Sequence, residues 1–154
     1  MEQYYRAKRK LFQIARSSHV INIDDPYGRQ LAAELADDNL DGIITYGIDG
    51  DGDYKGHILS MQGRETEFLL STPDGEISLK TSLPGKYNVY NCVAAAAYAH
   101  ANGISLSTIK HALEQVKQIP GRFEVISAEG NINIIIDYAD RKSTRLNSSH
   151  ITIS

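Results

Sequence analysis

The stretch Leu83 to Ile104, LPGKYNVYNCVAAAAYAHANGI, restricts what this chain can fold into more than any other. Pro84-Gly85 reads as a turn, Asn88 and Asn91 stand three apart, and the small residues Ala94 to Ala97 follow. This order predicts a loop feeding a helix that packs close against a sheet. The two asparagines share a face near the helix start, where backbone N–H groups lack intrahelical partners and a carboxamide offers a planar partner both a donor and an acceptor. An adenine edge asks for that pair of functions. Capping explains an asparagine at a helix start equally well, as close packing explains an alanine run, and both readings stay open at this point.

With 154 residues, 42% of them hydrophobic, the chain has room for one domain with a real core. A formal charge of −3 gives no broad electrostatic attraction for nucleic acid or an anionic membrane. The single cysteine, Cys92, excludes an internal disulfide framework and is expected buried beside the alanines. No apolar run approaches a membrane span, and no basic-then-apolar leader opens the chain, so a cytoplasmic location is expected.

Apolar residues at Tyr4, Ala7, Leu11, Ile14 and Ala15 predict a helix over Glu2 to Ala15. His19 to Ile23 is a β-branched run, read as a buried parallel strand. Asp25 as N-cap and Pro26 at the first helical position start a helix carrying Leu31, Leu35 and Ala36, and Gly42 to Tyr46 is the next strand. Strand, helix and strand form a βαβ unit. GIDGDGDYKG, from Gly47 to Gly56, fails the spacing of both a dinucleotide loop and a calcium loop and reads as a solvated turn. Ile58 to Ser60, Glu67 to Ser71 and Glu76 to Lys80 alternate between Gly63-Arg64 and Pro73-Asp74-Gly75 breaks, which predicts an antiparallel meander. Asn102-Gly103 is a C-cap, Ser105 or Ser107 opens a helix through Val116, and strands follow at Phe123 to Ile126 and Ile132 to Ile136. The class is α/β, a parallel sheet with flanking helices plus a small antiparallel meander.

Several segments match a known pattern in its known order. Gly85-Lys86-Tyr87-Asn88 with Asn91 resembles G-[RK]-[FY]-N-x-x-N-x-x-A-A of the Mur ligases, ATP-dependent enzymes that add amino acids to the peptidoglycan precursor. Tyr4, Ala7, Lys8, Leu11 and Phe12 match Y-x-x-A-K-x-x-L-F, and Asn22, Asp24, Asp25 and Gly28 match N-x-D-D-x-x-G. Both favour the members that add the third residue. Pro120-Gly121-Arg122-Phe123-Glu124 resembles P-G-R-[FM]-E, and Asp137-Tyr138-Ala139 resembles the start of D-Y-A-H-x-P, where Asp140 replaces the histidine.

The resemblance implies ATP and Mg²⁺ as cofactors, with Asn91 as an adenine contact and Arg122 and Asp137 at the nucleotide. Asn88 is either a further nucleotide contact or a cap. Lys8 is implied to be carbamylated and to help hold magnesium. Arg6, Arg9 and Lys10 crowd it, and like charges favour the neutral amine that reacts with carbon dioxide, giving two oxygens suited to a hard cation. Asp24 and Asp25 are read as structural, ending a strand and starting a helix.

The resemblance also divides the chain. Residues 1–120 are the C-terminal half of the central, ATP-binding domain, and residues 121–139 are the first strands of the next domain. Residues 140–154, including RKSTRLNSSH, resemble a translated adapter tail and are set aside. No P-loop is present, because Gly85-Lys86 is followed by Tyr87. The implied parent reaction joins diaminopimelate or lysine to UDP-N-acetylmuramoyl-L-alanyl-D-glutamate through an acyl phosphate, and this chain alone is expected to be inactive. Alternatives are a ligase of the cyanophycin-synthetase or folylpolyglutamate-synthase type, or a non-catalytic interaction or adenine-binding fragment.

Overall fold

The computed structural model describes residues 2–14, 18–63, 65–119, 124–128 and 132–136. Its elements run α1 (Glu2–Ile14), β1 (His19–Asn22), α2 (Pro26–Asp37), β2 (Ile43–Gly47), β3 (Tyr54–Gln62), β4 (Glu65–Thr72) and β5 (Gly75–Thr81). They continue with α3 (Lys86–Ala101), α4 (Leu106–Gln115), β6 (Glu124–Ala128) and β7 (Ile132–Ile136). The first five strands form one sheet in the order β1-β2-β3-β4-β5, and β6 and β7 form an antiparallel pair.

The expected βαβ unit is present, with β1 and β2 parallel from His19↔Ile43 to Asn22↔Tyr46. Alternation along these strands assigns their faces. Ile21 and Ile43 pack with Leu31 and Leu35 of α2, whereas Val20, Ile44 and Tyr46 pack against the cluster that contains α3. Tyr5 of α1 joins the first cluster, so α1 and α2 share one side of the sheet. Helices α3 and α4 cover the other.

The meander is longer than its alternating runs suggested and is continuous with the parallel strands. β3 begins at Tyr54 inside the segment read as a solvated turn, and it pairs parallel with β2 at Tyr46↔Tyr54 and Gly47↔Lys55. A parallel neighbour normally needs a crossover of a dozen residues or more. Here residues 48–53 suffice because the pairing covers only those two positions, while Asp53 accepts from both the Thr45 N–H, at 2.8 Å, and the Thr45 hydroxyl, at 2.7 Å.

The alanine-rich helix lies against the sheet as predicted. Val89, Cys92, Val93, Ala96 and Ala97 form its buried face, facing Phe68, Leu70 and Leu79 of β4 and β5 in one core. The close approach also needs Gly56 on β3, where an added Cβ would stand 2.7 Å from Val93 Cγ2. Asn102 caps α3, with Gly103 at φ +85°, and the Ser105 side chain accepts from the Thr108 N–H to start α4. Among the described residues, no helix is long and apolar enough to cross a membrane.

Candidate functional site

Lys8 lies on an open cleft of about 710 Å³ lined by residues of α1, β1, α2 and β2. Tyr4, Phe12, Ile21, Tyr27 and Tyr46 supply its apolar wall, and Asn22 and Asp25 supply its oxygens. The lysine is exposed, with Nζ 5.6 Å from the centroid of the Tyr4 ring. The expected crowding by Arg9 is not found. Arg9 turns to α2, where it meets Glu34 at 2.9 Å and Asp38 at 2.6 Å, so its charge is answered there. The Gln30 amide and then the Tyr5 hydroxyl, more than Arg9, hold the Glu34 carboxyl below its ordinary range.

The donor set bears on magnesium in one respect. As an ammonium, Lys8 repels a cation, and among the described residues no three His, Cys, Asp or Glu side chains converge. With a carbamate on Lys8, the cleft would present hard oxygens from Lys8 and Asp25 on neighbouring elements, which suits that ion.

The N-x-D-D-x-x-G segment divides its labour between its two acids. Asp25 caps α2 as predicted, its Oδ1 accepting from the N–H of Tyr27 at 2.8 Å and of Gly28 at 3.2 Å. Gly28 is dictated by contact, since a Cβ there would stand 1.8 Å from the Asn22 carbonyl oxygen.

Asp24 does more than end a strand. Its carboxylate accepts from the N–H groups of Ile48 at 2.7 Å, Asp49 at 3.0 Å and Gly50 at 2.6 Å, and from the Tyr90 hydroxyl at 2.7 Å. Burial alone would raise its pKa. The donors, led by the Asp49 and Ile48 N–H groups, win and hold it down at about 2. Burial, and then this bond and the Asp24 charge, push the Tyr90 phenol well above its usual range, so it stays a donor. The glycines of the loop follow from the same contact, because a Cβ on Gly47 or Gly50 would approach Asp24 Oδ1 to 2.7 or 2.8 Å. Within GIDGDGDYKG, residues 48–50 therefore form a nest of amides around an internal carboxylate, where a wholly solvated turn was expected.

The start of α3 lies beside this nest. Lys86 pairs with Asp49 at 2.8 Å and passes over the Tyr90 ring at 5.8 Å. Asn88 does not cap α3, since Gly85 at φ +89° is the cap residue. Instead the Asn88 amide donates to the Pro84 carbonyl at 2.7 Å and fixes the Pro84-Gly85 turn, while its oxygen accepts from the Asn91 amide at 3.3 Å. Asn91 is exposed beyond it, its carbonyl edge and second amide hydrogen left over from that bond. The structure thus brings Asn88 and Asn91 together, whereas neither lines the Lys8 cleft. Arg122 and Asp137 lie outside the described residues.

Sequence reasoning gave no role to Tyr90, Lys86 or Asp49. The signal for the nest was legible in principle, as an acid placed just after a buried strand and a glycine-rich loop whose N–H groups have no ladder to join.

A mixed sheet with helices on both faces, a carboxylate-filled amide nest at its strand ends and a paired-asparagine helix beside it define an α/β domain. The family model for the Mur ligase middle domain matches residues 1–99, and this chain belongs to that family. It is 37% identical over 140 residues to UDP-N-acetylmuramoyl-L-alanyl-D-glutamate--2,6-diaminopimelate ligase 1 of Clostridium acetobutylicum, a match that covers 90% of this chain and 28% of the relative. A solved UDP-N-acetylmuramoyl-L-alanyl-D-glutamate--2,6-diaminopimelate ligase superposes with a TM-score of 0.73 at 29% identity, over 90% of this chain and 29% of the other. Folylpolyglutamate synthetase from Lactobacillus casei superposes at 0.65 with 21% identity over 89% of this chain and 35% of the other, a likeness of fold alone.

Proposed function

We propose that this chain is the nucleotide-reading portion of an ATP-dependent ligase that joins an amino acid, diaminopimelate or lysine, to UDP-N-acetylmuramoyl-L-alanyl-D-glutamate in cytoplasmic peptidoglycan synthesis. Residues 1–120 belong to the central domain, residues 121–139 open the next, and residues 140–154 are foreign to both. The observation that carries this reading is the Asn88–Asn91 pair, held at 3.3 Å on an exposed helix face by the Pro84 latch. Held in this way, Asn91 presents a preoriented donor and acceptor to an adenine edge, and Arg122 and Asp137 complete the nucleotide contacts.

Lys8, as a carbamate, would hold Mg²⁺ with help from Asp25, and the metal would supply charge screening for the transferring phosphoryl group. The whole ligase takes ATP, the UDP-linked dipeptide and the amino acid; nucleic acid and membrane have no part in it.

The test is ADP release by the complete ligase supplied with the UDP-linked dipeptide and one amino acid at a time. Release that depends on diaminopimelate or lysine is the expected result. Release that depends instead on a folate and glutamate would assign the chain to the folylpolyglutamate type, and no release with either set would favour a non-catalytic role.

A further inference from the structure

Asn91 stands on α3, and α3 is held at its start by more than core packing. The Tyr90 hydroxyl reaches Asp24, and Lys86 reaches Asp49, whose own N–H also donates to Asp24. Strand β1, the 48–50 loop and the first turns of α3 thereby close a ring around one carboxylate. On the other side of that carboxylate, the Asp24 N–H donates to Asn22 Oδ1 at 3.0 Å, and Asn22 lines the Lys8 cleft. We propose that Asp24 is a positioning residue for base recognition. Acting through Tyr90 and the Ile48–Gly50 amides, it sets α3 so that the Asn91 carboxamide faces the adenine edge. It also ties that setting to the cleft through Asn22. This proposal rests on the reading of Asn91 as the base contact.

The physical reason lies in what alternatives the ring allows. Three backbone N–H donors and one phenol converge on two oxygens, so rotating α3 about its axis removes the Tyr90 bond while leaving the three amide bonds in place. An asparagine at position 24 would keep the shape but turn an NH₂ toward at least the Gly50 N–H, leaving a part-buried donor without an acceptor. With its oxygen at the Oδ2 position the isostere still loses the Gly50 bond and the negative charge that the other three donors face.

The experiment titrates adenosine into the isotope-labelled full chain and follows the Asn88 and Asn91 carboxamide signals together with the Ile48 to Gly50 amides. Asp24→Asn and Tyr90→Phe should each raise the adenosine dissociation constant about tenfold, the weight of one lost hydrogen bond to a charged group. Tyr90→Phe should leave the Ile48 to Gly50 signals near their original positions, whereas Asp24→Asn should move them. Tyr54→Phe, which removes a β3 hydroxyl 2.9 Å from His100 Nδ1 in the last turn of α3, is the control for simple loss of stability and should leave adenosine affinity unchanged. If adenosine shifts Asn91 but its affinity ignores both Asp24→Asn and Tyr90→Phe, the positioning role is overturned and the base contact stands. Equal weakening by Tyr54→Phe would reduce the ring to ordinary stability and overturn the proposal as well. Adenosine that leaves Asn88 and Asn91 unmoved in the unaltered chain would overturn the base contact and this proposal together.

Discussion

The Tyr54 hydroxyl lies 2.9 Å from His100 Nδ1, and His100 Nε2 lies 3.3 Å from Asp74 Oδ2, so β3, α3 and the β4–β5 turn meet in one polar chain. Burial first, then the charges of Asp74 and Asp53, raise the Tyr54 phenol's pKa and keep it a donor. In the neutral imidazole, Nδ1 accepts from Tyr54 while Nε2–H donates to Asp74; protonation reverses only the first bond. Tyr54→Phe leaves the half-buried imidazole without one partner, and urea unfolding should show a loss of about 1 kcal/mol. An unchanged midpoint would mean that water replaces the phenol.

Gly56 should tolerate no side chain. A Cβ there meets fully buried Val93 at 2.7 Å and Val89 at 3.4 Å, so Gly56→Ala should cost about 1–3 kcal/mol by overpacking. Adding Val93→Ala should recover part of that loss, because the two changes share one contact. Additive losses in thermal unfolding would show that the backbone, not Val93, is the obstacle.

Acid should weaken the fold through Asp24. Its pKa falls from 3.8 to about 2 on folding, so its stabilisation is complete above 3.8 and is lost as pH falls toward 2. Solvent screening leaves this at about 1–2 kcal/mol. Asp24→Asn should lower stability at neutral pH and flatten the pH dependence between about 4 and 2. A variant with the acid limb of the unaltered chain would place that dependence on other carboxylates.

Most of the fold was legible because local chemistry and tertiary packing agree. Asp25-Pro26, Asn102-Gly103 and Ser105 mark their helix boundaries, and the apolar runs at His19 and Ile43 carry the parallel pair. Residues 47–56 were misread, since a glycine-rich acidic loop looks solvated unless the partner that fills it is known, and Asp24 lies more than twenty positions away. The cap alternative for Asn88 was off by one turn for a similar reason: a cap and an N3 residue share composition and differ only in where the side chain points. Tyr90 drew no notice because an aromatic between two asparagines looks like core until its hydroxyl is placed.

The open edge of β1 should make this chain associate. Among the described residues β1 pairs with β2 alone, and Phe12, Val20 and Ile21 line an open cleft. Sedimentation should show concentration-dependent association, and a hydrophobic dye should bind. A monomer with a sharp thermal transition and no dye binding would contradict this. The chain alone should also release no ADP with the ligase substrates.

The direct measurement of the central claim is ATP binding to the complete ligase carrying Asn91→Ala, Asn88→Ala or Lys8→Ala. Asn91→Ala should weaken ATP by about 1–3 kcal/mol, the range for a lost hydrogen bond whose partner stays buried. Asn88→Ala should lower stability first, by releasing Pro84. Lys8→Ala should abolish turnover while leaving ATP affinity near its original value, with partial recovery in added short carboxylates. ATP affinity unchanged by Asn91→Ala, or full turnover with Lys8→Ala, would contradict the account.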